Sequence, residues 1–117
     1  MQAQALKKYI RSSPLKMRIT IDMIRGKKAS EALSILRFSN KMAARDAERV
    51  LRSAISNLSN KLKDAEERVN ESEFFVKEVF VNEGPSMKRI MPAPMGRAFR
   101  IRKRSNHLTI VVATKEN

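Results

Sequence analysis

The chain has no cysteine, no tryptophan, one histidine, one tyrosine and three glycines in 117 residues. Without cysteine there is neither a disulfide framework nor thiolate chemistry. Three scattered glycines cannot make a glycine-rich phosphate loop, and a lone histidine without cysteines gives no metal-ligand spacing. No nucleophile stands beside a recognisable base. No apolar run approaches the roughly 20 residues of a membrane span. The first ten residues, MQAQALKKYI, lack the apolar stretch of a secretory signal. These absences predict a soluble cytoplasmic protein that is not an enzyme and carries no cofactor and no metal.

What is abundant is positive charge, +13 in total. Charge of that size opposes compaction through self-repulsion, so a polyanion is expected as a standing partner. The excess is confined to two blocks. Residues 1–28 carry Lys7, Lys8, Arg11, Lys16, Arg18, Arg25, Lys27 and Lys28 against Asp22, a net +7. Residues 86–104 carry Lys88, Arg89, Arg97, Arg100, Arg102, Lys103 and Arg104 with no acid, again +7. Residues 29–73 balance to zero and read as a solvated face with acids and cations paired at helical spacing. Two acid-poor blocks in one small domain favour a polyphosphate surface.

The second block, SMKRIMPAPMGRAFRIRKR, cannot cover a core. Its ends alternate like strands, and Pro92, Ala93, Pro94, Met95 and Gly96 supply the punctuation of a reversal. It reads as a basic β-arm reaching on the order of 30 Å from a body, at about 3.3 Å per residue. Such reach is useful against a large anionic partner. Alternation would put Arg100, Arg102 and Arg104 on one strand face and Phe99 and Ile101 on the other, the first for phosphates, the second for bases or sugars.

The remainder reads as a small body. Residues 3–11 suggest a short edge strand. Ser12 and Ser13 before Pro14 mark a helix start, with serine as a cap and proline in the first turn. Leu15, Met17, Ile19, Ile21 and Ile24 recur at helical spacing, and Gly26 is expected to end that helix. A short helix carries Ala32, Leu33, Ile35 and Leu36. A long one, starting at Ser39 or Asn40, carries the stripe Ala43, Ala47, Val50, Leu51, Ala54, Leu58 and Leu62. Lys63 to Ser72 is polar, a frayed end plus loop. Phe74 to Val81 is a strand. The apolar parity of the returning strand changes between Lys103 and Leu108, predicting a bulge or strong twist there. His107 reads as a sheet-surface residue.

Two other readings of the charge are weaker. DNA-bending proteins insert basic β-arms into the minor groove, but generally as dimers, and the long helix offers no heptad seam beyond its own core. A cationic membrane-active helix would oppose its cations to an aromatic-rich face, which is missing here.

In order, Ser12-Ser13-Pro14-Leu15-Lys16-Met17-Arg18, Ile24-Arg25-Gly26-Lys27-Lys28, Ser53-Ala54-Ile55-Ser56-Asn57, Asn82-Glu83-Gly84-Pro85-Ser86-Met87-Lys88-Arg89, Gly96-Arg97-Ala98 and Lys103-Arg104-Ser105-Asn106-His107-Leu108-Thr109-Ile110-Val111-Val112 closely resemble the family of ribosomal protein twenty-two of the bacterial large subunit. The resemblance spans about residues 3–113. It implies an α+β fold, three helices packed on a small antiparallel sheet with a long protruding basic β-hairpin. The body would be residues 1–85 and 105–114, the hairpin 86–104, and 115–117 a short tail. It further implies a structural constituent of the large ribosomal subunit that supports assembly. The partners implied are large-subunit ribosomal RNA, neighbouring proteins including large-subunit protein four, and the nascent polypeptide, with no membrane partner. Carried over, RNA binding falls to the fifteen cations of the two blocks with Ser13, and lining of the polypeptide exit tunnel to Pro92, Ala93, Pro94, Met95, Gly96 and Arg97. The tip departs from the family pattern. Ala93 and Met95 stand where basic residues are frequent, Pro94 where alanine is, and Phe99 where an acid is common. This tip is therefore less cationic and stiffer.

Overall fold

A computed structural model describes residues 1–92, 96 and 98–114. Five strands and three α-helices follow in the order β1 (Gln2–Ile10), α1 (Pro14–Asp22), α2 (Ala29–Arg37), α3 (Ala43–Asp64), β2 (Phe74–Glu83), β3 (Met87–Pro92), β4 (Ala98–Lys103) and β5 (Asn106–Thr114), with one 3-10 turn at Glu71–Glu73. The strands form two antiparallel sheets, one ordered β1-β5-β2 and a separate ribbon β3-β4. This is the expected α+β fold with its protruding hairpin.

Cross-strand register decides what the body buries. Ala5, Ile110 and Val79 lie in one row, Ala3, Val112 and Val76 in the next, and Lys7, Leu108 and Val81 in a third. That face meets the helices, and Leu108, Ile110, Val112 and Val76 have no solvent exposure. Burying each such side chain stabilises the fold by roughly 1.5–3 kcal/mol. From α3 the expected stripe, joined by Ala44, covers the sheet. Four alanines in it, at 43, 44, 47 and 54, let the helix approach the strands closely.

Both sheet edges are closed by side chains. On β1, Asn57 Nδ2 and Lys61 Nζ of α3 donate to the carbonyls of Gln4 and Gln2, each at 2.9 Å. On β2, Arg25 donates to Val79 O at 3.0 Å and Arg18 to Val81 O at 3.3 Å. Donors fixed on edge carbonyls deny that edge to another strand.

Several local expectations shift. In α1 the buried stripe is Met17, Thr20 and Ile21, continued by Ile24 in the turn that follows, whereas Leu15 and Ile19 point outward at 64% and 48% exposure. Thr20 is tolerated inside because its hydroxyl donates to Lys16 O. The helix ends at Asp22, not at Gly26; the bonds Ile24 N to Ile21 O and Lys27 N to Ile24 O tighten the chain into turns, and Gly26 supplies their left-handed residue at φ 75°. Ser13 is the N-cap by backbone alone, without a side-chain cap bond. The long helix starts at Ala43, after the i→i+3 bond from Ala44 N to Lys41 O. The expected bulge between Lys103 and Leu108 is instead an interruption at Arg104 and Ser105 separating β4 from β5, while register shifts fall in β1 between Lys7 and Ile10 and in β2 between Val76 and Glu78.

The ribbon lengthens the molecule. Its Cα radius of gyration is 17.6 Å and its extents are 67 × 25 × 17 Å. A compact chain of this length would have a radius near ~13 Å.

Candidate nucleic-acid interface

The arm is held to the body at its root by a short bonded junction. Gly84 N–H donates to Ser105 O at 3.0 Å, and Ser105 Oγ donates to Pro85 O at 2.7 Å. A side chain at 84 would meet Ser105 Oγ at 2.5 Å, which is why glycine stands there. One strand further in, Asn106, fully buried, donates to Ser12 O at 2.9 Å and to Ser12 Oγ at 2.7 Å. The loop opening α1 and the root of the arm are thereby one unit, and the two basic blocks meet there.

Beyond the junction, Met87 pairs with Lys103, Lys88 with Arg102, Arg89 with Ile101, Ile90 with Arg100, Met91 with Phe99 and Pro92 with Ala98. Positions 88, 100 and 102 thus share one face of the ribbon, and 89, 99 and 101 the other. The alternation expected for Arg100 and Arg102 holds in register, whereas Arg104 lies past the end of β4. Lys88 opposite Arg102 is a like-charge pair, which destabilises an isolated ribbon until an anion neutralises it. Lys88, Lys103 and Arg104 are exposed. Of the tip, Ala93, Pro94, Met95 and Arg97 lie outside the described residues; Gly96, exposed, adopts φ 71°.

The amino-terminal block divides in two. Lys7 pairs with Asp46 of α3 at 2.9 Å, and Arg18 and Arg25 close the β2 edge, Arg25 also bonding Asp22 at 2.8 Å. Those three cations serve the fold. Among the described residues, Lys8, Arg11, Lys16, Lys27 and Lys28 are exposed and make no ion pair. Arg11, Ser13 and Lys16 line one cleft, where Lys41 joins them. Lys41 was invisible as a site residue because it belongs to the charge-balanced stretch, and only the packing of the α2–α3 connection against α1 brings it there. Lys27 lines a separate shallow groove beside Ser30 and Glu31. Of the helical ion pairs expected in the middle segment, Glu48–Arg52 forms at 2.6 Å, but Asp46 pairs across to β1.

A closed α+β body, a separate cation-rich ribbon and a rim of unpaired lysines and arginines define a protein built to lie against a folded polyanion. A family model described as ribosomal protein L22p/L17e matches residues 5–113. Similar curated proteins are the large ribosomal subunit protein uL22 of Chlorobaculum tepidum, 53% identical over 117 residues covering 100% of this chain and 97% of that protein, and that of Solibacter usitatus, 49% identical over 116 residues covering 99% of each. The uL22 of Chlorobium phaeobacteroides strain BS1 is 52% identical over 114 residues, 97% of this chain and 96% of that one. The chain belongs to the L22p/L17e ribosomal protein family.

Proposed function

We infer that this chain is a structural constituent of the large ribosomal subunit, in the cytoplasm, and not an enzyme. Family membership over residues 5–113 is the observation that carries this reading. Within that role, Lys8, Arg11, Ser13, Lys16, Lys27 and Lys28 on the body and Lys88, Arg89, Arg97, Arg100, Arg102, Lys103 and Arg104 on the arm bind large-subunit ribosomal RNA. Lys7, Arg18 and Arg25 contribute indirectly, by fixing the body. Affinity comes chiefly from phosphate neutralisation, and specificity from RNA shape. The tip, Pro92 to Arg97, lines the exit tunnel beside large-subunit protein four and the nascent chain.

Recovery of the chain in purified large subunits after a high-salt wash tests the assignment, and its loss into the wash would contradict it. Met95→Lys tests the tip, since added charge on a tunnel wall should leave assembly normal but change macrolide sensitivity or pausing on an arrest peptide. Normal assembly with both responses unchanged would remove Met95 from the lumen, and failed assembly would place it against RNA.

A further inference from the structure

Tyr9 is held in a costly backbone conformation while its ring stays largely exposed. Its φ is 59°, in the left-handed region that bulky residues avoid and glycine or asparagine enters easily. The cause is the register shift in β1: Lys7 pairs with Leu108 and Ile10 with Asn106, so Lys8 and Tyr9 together oppose His107. The ring gains little by burial, because Tyr9 is 64% exposed. What fixes it is His107, 98 positions away: Tyr9 N–H donates to His107 Nδ1 at 3.0 Å, and the two rings meet edge to face with centroids 5.0 Å apart at 88°.

With Nδ1 accepting from the backbone, Nε2 carries the ring proton and remains a donor. The pair therefore offers an exposed aromatic ring, set edge to face on the imidazole, beside a hydrogen-bond donor. It sits where the blocks converge, with exposed Lys8 and Arg11 within two positions in sequence and the arm root close by, since a Cβ added at Gly84 would lie 3.3 Å from His107 Cε1. A preformed ring presented to solvent between unpaired cations matches one chemistry above others, an unpaired nucleobase whose flanking phosphates the cations neutralise.

We propose that Tyr9, oriented by His107, is a stacking site for one unpaired RNA nucleotide at the root of the arm. The inference rests on the RNA-binding reading and specifies a contact within it. The probe is a twelve-nucleotide oligouridylate containing 5-iodouridine, used with the full chain. Photocrosslinks should map to the peptides bearing Tyr9 or His107. Tyr9→Asn, which removes the ring but suits the left-handed backbone, should bind the oligomer about 5- to 150-fold more weakly with an unchanged salt slope, because no phosphate contact is lost. Tyr9→Phe should keep the parental affinity. Crosslinks confined to other peptides, or a loss below about threefold for a folded Tyr9→Asn, overturn the proposal and leave the pair to a protein neighbour. Should Tyr9→Asn not fold, the crosslink map of the unaltered chain decides alone. Failure of the broader reading looks different: the unaltered chain would then bind the oligomer without salt dependence, or not at all.

Discussion

Two blocks of equal charge, each +7, are put to different uses. In the amino-terminal block, Arg18 and Arg25 close the β2 edge and Lys7 is tied to Asp46, so part of the charge is structural. In the arm, positions 88 and 102 oppose each other with like charge and no acid lies between residues 86 and 104. The first block lies on the folded body, with part of its charge bonded to it. The second is a ribbon whose own electrostatics oppose it until an anion arrives. Equal formal charge therefore does not mean equal use of that charge, because Arg18 and Arg25 commit some of their guanidinium donors to edge carbonyls of the fold.

The largest expected effect treats the blocks together. If about 6–10 phosphates are neutralised, affinity for naked ribosomal RNA should fall by about three to five decades between roughly 50 and 200 mM salt, borrowing the slope of duplex DNA. A nearly flat log-log plot would defeat the electrostatic reading of both blocks.

Replacing residues 86–104 by a short turn separates them. We propose that the arm is not part of the folding unit, since β3 and β4 pair with each other and with no strand of the larger sheet. RNA affinity and salt slope should drop markedly, while thermal unfolding stays cooperative and within a few degrees of the parent. Loss of cooperativity would mean that the arm holds the body together.

A finer division runs through the amino-terminal block. Arg25→Gln removes a donor from Val79 O and should lower stability by about 1 kcal/mol, with a small effect on RNA. Lys27→Gln, at an exposed position without an ion pair, should leave stability within about 0.5 kcal/mol yet reduce the salt slope by about 0.7–0.9. Identical behaviour of the two variants in both measurements would erase the distinction between structural and RNA-facing cations.

The most local effect concerns the bonded junction between the regions. In Gly84→Ala the new methyl displaces Ser105 Oγ and breaks its bond to Pro85 O, costing about 1 kcal/mol. Amide exchange at the root, Gly84 N–H included, should accelerate while exchange in Ile110 and Val112 is unchanged. Uniform acceleration would show that arm root and core unfold as one.

The sequence by itself determined which stretches are helical, the apolar stripe from Ala43 to Leu62, the detached basic arm and the two charge blocks, because periodicity, proline and glycine punctuation and net charge are properties of consecutive residues. The stripe of α1 already escaped it: Leu15 and Ile19 fit a helical repeat as well as Met17 and Ile21 do, and only packing against β2 and α3 chose between them. The same holds at the candidate site. Arg18 and Arg25 look identical to Lys27 in the chain, and their commitment to Val81 and Val79 depends on a strand some 54 to 63 residues away. Lys41 joins Arg11, Ser13 and Lys16, and Tyr9 meets His107, through register and helix placement, which tertiary structure alone decides because those partners are remote in sequence and their contacts exist only once β1 and β5 have paired.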